Sequence, residues 1–172
     1  MSGSQAGLSE HGSGNPSIVC KVVIEFYRRQ NLRKRICVID GQGGGIGVSL
    51  IKYLRDVHGE SVEVAAVGTN AIAATQMMKA GANRCASGEN AIFRAVAEAD
   101  VIIGPIAIAW ANAMMGEVTP RMAEAVMSAS ALKILLPLSQ ERVIIAGVYK
   151  EPLPHLIKIL VEDELREVLN HV

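Results

Sequence analysis

From Arg35 onward, short β-branched apolar runs alternate with longer stretches that carry apolar residues at helical spacing. A short apolar run that ends at glycines, as residues 35–40 do, is typical of a buried parallel strand. Apolar residues recurring every three or four positions, as in residues 46–58, predict a helix with one buried face. The predicted strands are 35–40, 62–67, 84–86, 101–104, 133–136 and 143–148. The predicted helices are 46–58, 71–79, a helix capped within 87–90 that runs through Ala97, 106–115, 120–127 and 154–168.

Strands that alternate with helices pair in parallel through right-handed crossovers. The pattern therefore predicts an α/β fold, a three-layer doubly wound parallel sheet of Rossmann-like type. Residues 35–172 form this single domain, and 172 residues are enough for one well-buried core.

The first 34 residues differ from the rest. Residues 1–17 contain almost nothing apolar and predict a flexible tail. Residues 18–27 are apolar at helical spacing and precede a basic cluster, which indicates either a helix with an anionic partner or an incidental helix before a solvated linker. A further interpretation is that the native protein starts at Leu32, with Arg28 and Arg29 translated from a ribosome-binding sequence.

Composition narrows the class of protein. Lysine and arginine number 17, as do aspartate and glutamate, and this balance argues against nucleic acid as a partner. The three cysteines, Cys20, Cys37 and Cys85, lack disulfide or zinc spacing and predict reduced core residues in a cytoplasmic protein. The uncharged run 101–115 is too short for a membrane span and contains Gly104 and Pro105, so no membrane is expected.

The glycine-rich segment after the first predicted strand is the strongest functional signal. Glycines at this place let bare backbone approach a pyrophosphate, while the N-terminus of the next helix presents unpaired N–H groups. The common G-x-G-x-x-G pattern does not fit, but G-x-x-x-G-x-G does, as Gly41, Gly45 and Gly47. This spacing resembles the loop of short-chain dehydrogenases and reductases, which implies NAD or NADP as cofactor.

Two departures limit that resemblance. The Y-x-x-x-K catalytic pair of those enzymes is missing, since Tyr53 is followed four residues later by Val57 and Tyr149 by Leu153. NAD sites also place an acidic residue at the end of the second strand, where this chain has residues 68–70, and uncharged donors there would tolerate a 2′-phosphate or another ribose-bearing ligand.

The predicted ligand-binding residues follow the ends of three strands, because ligands of open α/β sheets bind outside the carboxyl ends of the strands. They are Asp40, Gly41, Gln42, Gly43, Gly44, Gly45, Ile46 and Gly47 after the first strand, Gly68, Thr69 and Asn70 after the second, and Gly104 and Pro105 after the fourth. Asp40 is interpreted as a brace for loop amides, with a metal or proton-transfer role as the alternative.

Five further residues are candidates with a simpler structural interpretation. Glu117, Thr119, Glu89 and Asn90 could reach the same rim or act as helix caps and solvated turns, and His155 could serve in acid–base chemistry or begin a helix. No metal or catalytic constellation emerges, so catalytic residues stay unassigned. The apolar stretch holding Trp110, Met114 and Met115 predicts either a homo-oligomer surface or internal burial.

Segments such as "VIDGQGGGIG", "SGENAI" and "EPLPHLI" together resemble a family of small bacterial proteins with a domain of unknown function, over residues 35–157. The resemblance implies a stand-alone Rossmann-like protein and no particular activity. Two functions are expected: binding of a small nucleotide ligand, NAD or NADP, with a small reductase as the enzymatic form, or a non-catalytic ligand-sensing or partner-binding module. A scaffold with an empty site is a third possibility.

Overall fold

A computed structural model describes residues 33–139 and 141–171 of the chain. The apolar segment 18–27 and Cys20 lie outside them.

The described residues form a five-stranded sheet in which every pairing is parallel. The strands are β1 Arg35–Asp40, β2 Glu63–Gly68, β3 Arg84–Ser87, β4 Val101–Pro105 and β5 Leu132–Leu136. Their order in the sheet is β3-β2-β1-β4-β5. Ile36 lies opposite Val64 on one side and Val101 on the other, so β1 is central and the strand order reverses between β1 and β4. The doubly wound fold predicted from the sequence is confirmed.

Helices cover both faces of the sheet. They are α1 Gly45–His58, α2 Ala71–Lys79, α3 Glu89–Glu98, α4 Pro120–Ser128, α5 Leu153–Lys158 and α6 Leu165–His171, with the π-helical segment Ile159–Glu164 joining the last two. One apolar cluster lies under α1, α2 and the C-terminal helices, and a second lies under α3 and α4. The predicted three layers are therefore present.

Two predicted elements are wrong. Residues 143–148 do not form a strand, because their side chains face solvent, Gly147 turns the backbone at φ 82°, and no described strand pairs with them. Residues 106–115 do not form an α-helix. Only Ile106–Ala109 is helical, as a 3₁₀ turn, since Asn112, Met114 and Met115 take left-handed conformations that end any helix.

The described cysteines have opposite surroundings. Cys37 is buried in β1, and this burial raises the pKa of its thiol to about 12. Cys85 is exposed on the edge strand β3, so the prediction of a core residue is wrong there.

None of the helices within residues 33–139 and 141–171 has the length and apolarity needed to cross a membrane.

Candidate functional site

A crevice opens where β1 and β4 diverge, at the carboxyl ends of the strands. Its volume is about 260 Å³. The residues lining it come from the glycine loop, the segment after β4 and the segment after β5: Asp40, Gly41, Gln42, Ile46, Pro105, Ala107, Met114, Leu138, Ser139, Glu141 and Leu153. This is the place where the strand order reverses, and open α/β sheets bind their ligands there.

Asp40 lies at the floor of the crevice and holds the glycine loop together. The residue is 4% exposed, and its carboxylate accepts hydrogen bonds from Gly41 N at 2.8 Å and Gly47 N at 2.7 Å. Burial raises the pKa of Asp40, while these bonds and a weaker one from Ile46 N oppose the rise. The brace interpretation agrees with this geometry, and Asp40 takes amides at the start of α1 that a phosphate would otherwise use.

Three of the loop glycines face inward and pack against the chain itself. Gly44 adopts φ 73°, and a Cβ there would lie 2.9 Å from Ala73 Cα. A Cβ on Gly47 would lie 2.3 Å from Met77 Sδ, and one on Gly41 would lie 2.5 Å from Met114 Sδ. These glycines are needed for close packing of the loop against α2 and the turn after β4.

Gly43 and Gly45 face the opposite way. Both are exposed, and a Cβ on either would meet no atom within 4 Å. Among the described residues, no hydrogen-bond acceptor is present for the amides of Gly43 and Gly45. The open side of the loop therefore offers two backbone donors to a molecule bound from outside.

Glu117, in the turn after β4, contacts the glycine loop beside the crevice but does not itself line it. Its Oε2 atom accepts hydrogen bonds from Gln42 N at 2.8 Å, Thr69 Oγ1 at 2.5 Å and Asn70 Nδ2 at 2.8 Å. Burial raises the pKa of Glu117, but the three hydrogen bonds outweigh it and the net pKa is lowered. An ionised carboxylate thus lies between the glycine loop and the end of β2.

The other predicted ligand-binding residues divide between site and scaffold. Pro105 lines the crevice, whereas Gly104 packs against β1, with a Cβ position 2.4 Å from Ile39 O. Gly68 packs against the start of α2, and Asn70 caps that helix through its bond from Ala73 N at 2.9 Å.

The remaining candidates lie in helix caps and exposed pairs. Thr119 caps α4 by accepting from Met122 N, and it donates to Glu89 Oε2 at 2.5 Å. Asn90 is exposed at the start of α3, and His155 pairs with Glu151 at 2.7 Å in an exposed position. None of these four lines the crevice.

Sequence reasoning missed two contributors, Met114 and Glu141. Glu141 Oε1 accepts from Met114 N at 2.8 Å, which joins the segment after β5 to the turn that carries Glu117. The sequence predicted a helix at 106–115 and a strand at 143–148, and neither element would bring Glu141 to Met114 N. The only available signal was the carboxyl-end rule itself, which applies to β5 as well as β1 and β4.

A larger cavity, about 310 Å³, lies between α3 and the strands β1, β2 and β3. Arg35, Arg84 and Arg94 line it, but Arg84 pairs with Glu63 at 2.8 Å and Arg94 with Glu98 at 3.4 Å. It includes none of the glycine-loop residues. The crevice is therefore the better candidate despite its smaller volume. Within the described residues, no cluster of side chains could hold a metal ion.

The fold and the crevice define a class: a doubly wound α/β protein of Rossmann-like type with its candidate site at the reversal of strand order. The chain belongs to the family described as "Domain of unknown function (DUF3842)", whose sequence profile matches residues 35–169. No curated protein matches the chain.

Proposed function

We propose that this protein binds a nucleotide or dinucleotide, NAD or NADP, with the phosphates on the open side of the glycine loop. The observation that carries the proposal is the exposure of Gly43 and Gly45 at the start of α1, beside the crevice. Helix N-termini favour anions because their first amides lack partners and the helix dipole is positive there. The spacing of Gly41, Gly45 and Gly47, similar to that of short-chain dehydrogenases and reductases, supports the same ligand class.

Asp40 determines where the phosphates would lie. Because its carboxylate already binds Gly41 N and Gly47 N, the donors left for a phosphate are Gly43 N and Gly45 N, on the open side of the loop. The residues present therefore fit a phosphate at the loop surface, and the apolar crevice wall formed by Ala107, Met114 and Leu153 fits the rest of a ligand.

A ligand panel tests the proposal. Differential scanning fluorimetry and native mass spectrometry of the full chain with NAD, NADP, ATP, GTP, SAM and CoA should show selective stabilisation by NAD or NADP. A ligand at 100 times its Kd stabilises by about 2.7 kcal/mol, which shifts the melting temperature measurably.

Gly45→Leu supplies the site-specific variant. The added side chain enters open space, so we expect the unfolding midpoint to stay near that of the parent protein while ligand stabilisation is lost. Lys52→Leu, on an exposed position of the same helix, is the matched control. It should keep both the unfolding midpoint of the parent and the stabilisation by ligand. A flat panel on folded protein, or ligand binding unchanged in Gly45→Leu, would contradict the proposal.

A non-catalytic sensing or partner-binding module is the second candidate. The observation that favours it is a group of exposed apolar side chains after β5, with Ile144 97% and Tyr149 84% exposed. They line a depression that shares Leu138 and Ser139 with the crevice. Light scattering of the parent and of Ile144→Ser, with and without the stabilising nucleotide, tests it: a change of oligomeric state with ligand that the variant abolishes is expected.

A further inference from the structure

The carboxylate of Glu117 is fixed in the gap between the glycine loop and the end of β2. One oxygen, Oε2, accepts all three hydrogen bonds, from Gln42 N, Thr69 Oγ1 and Asn70 Nδ2. A carboxylate oxygen with three donors has no room for a fourth, and its orientation is set by groups on two separate loops. Glu117 is therefore rigidly placed for a side chain of its length.

The second oxygen of Glu117 is available. No described residue donates a hydrogen bond to Oε1, and this atom is not among the buried polar atoms that lack a partner. An ionised oxygen that is accessible and held in place is a strong acceptor for hydroxyl groups.

The location matches the place where dinucleotide-binding sheets read the ribose. Those sheets carry an Asp or Glu at the end of β2, and its carboxylate accepts from the ribose 2′-hydroxyl. In this chain β2 ends at Gly68, and the next two residues are the uncharged Thr69 and Asn70. Both donate to Glu117, so the end of β2 holds a carboxylate that another loop supplies.

Glu117 belongs to the turn after β4, where three residues before it have left-handed backbone conformations. Asn112, Met114 and Met115 have φ values of 64°, 56° and 59°. Left-handed conformations in such residues cost about 1–3 kcal/mol each and persist only where surrounding contacts enforce them. Here the contacts include Glu141 on Met114 N and Met114 Sδ against the loop at Gly41.

We propose that Glu117 binds the ribose hydroxyls of the nucleotide and selects a ligand with an unmodified ribose, NAD, over one with a 2′-phosphate, NADP. This inference rests on the proposed function. It identifies a residue for specificity in place of the acidic residue that β2 lacks.

Electrostatics gives the direction of the selectivity. A 2′-phosphate would place two or nearly two negative charges beside an ionised carboxylate, and like charges at short range repel. Thr69 and Asn70 cannot compensate, because the Thr69 hydroxyl and the Asn70 amide already donate to Glu117, and the Asn70 amide also donates to Gln42 O at 3.0 Å. None of the described residues that line the adjacent crevice is basic.

Isothermal titration calorimetry of the full chain with NAD and with NADP tests the inference. We expect the parent protein to bind NAD at least about tenfold more tightly, the scale of one hydrogen bond to a charged group. In Glu117→Gln that ratio should fall by about tenfold, through weaker NAD binding and improved NADP binding, because an amide keeps the shape and removes the charge. Glu124→Gln, on an exposed position of α4, is the control and should leave the ratio unchanged.

Glu117→Asp provides a second variant, with folding of both variants checked by thermal unfolding. It keeps the charge on a shorter stem, so it should keep discrimination against NADP while losing affinity for NAD. Equal binding of NAD and NADP by the parent, or a ratio unchanged in Glu117→Gln, overturns the inference and leaves the proposed function standing. Absence of binding by folded parent protein overturns both.

Discussion

The two sides of the glycine loop differ although they belong to the same short segment. On the inner side, Gly41, Gly44 and Gly47 meet atoms of the chain at distances too short for a side chain. On the outer side, Gly43 and Gly45 meet nothing within 4 Å. The contrast separates glycines that the fold requires from glycines that a ligand would require, a distinction that the sequence "GQGGGIG" does not contain.

Substitutions at the neighbouring residues Gly44 and Gly45 test that contrast with the largest expected effect. Gly44→Leu would place a side chain on a left-handed residue and against the backbone of Ala73, so we expect a loss of about 2–5 kcal/mol in the free energy of unfolding. Gly45→Leu should change stability by less than about 0.5 kcal/mol, as for an ordinary surface position. Urea denaturation of the two variants decides the matter, and equal losses would remove the distinction between the two sides.

Asp40→Asn should produce the next largest effect. The oxygen of the asparagine amide can accept from either Gly41 N or Gly47 N. Its NH₂ group would then face the other backbone N–H, and that buried donor would have no acceptor. We expect a loss of about 1–3 kcal/mol in thermal or urea unfolding. Asp56→Asn, on an exposed position of α1, is the control. If both variants lost the same amount, Asp40 would not be a brace of the inner side.

The smallest expected effect is a difference in pH dependence between the carboxylates of Asp40 and Glu117. Burial raises the pKa of Asp40 above its ordinary 3.8, so folding takes up a proton there and the parent should gain stability relative to Asp40→Asn as pH falls towards that value. The pKa of Glu117 is lowered from 4.5 because its hydrogen bonds outweigh burial, so the parent should lose stability relative to Glu117→Gln as pH falls below 4.5. The difference in urea midpoint between the parent and each variant should be measured from about pH 6 to about pH 3, a range that spans both ordinary pKa values. The two differences should change in opposite directions as pH falls. Parallel curves would mean that the two carboxylates share one environment.

The sheet could be predicted from the sequence because local and tertiary signals agree in it. The runs at β1, β2 and β4 are rich in β-branched residues, are largely buried, and end at a glycine or proline or directly before one. Each is followed by a segment with helical spacing or a 3₁₀ turn. Spacing alone also located the glycine loop at the start of α1.

The wall of the crevice opposite that loop could not be predicted. Residues 106–115 carry enough apolar side chains for a helix, but contacts with the glycine loop and with Glu141 hold Met114 in a left-handed conformation. Residues 143–148 have β propensity, but no strand within residues 33–139 and 141–171 pairs with them. In both places the tertiary surroundings decide the backbone against its local preference, and these segments lie next to Glu117 and Glu141 in the sequence.

The packing around Gly41 predicts linked substitutions among members of the family whose profile matches residues 35–169. A Cβ at Gly41 would lie 2.5 Å from Met114 Sδ, 2.6 Å from Thr69 Oγ1 and 2.9 Å from Glu117 Oε2. A relative that has alanine at this position must move the ends of all three of these side chains. Substitutions at these four positions should therefore occur together in aligned family members, a correlation that can be read from sequences alone.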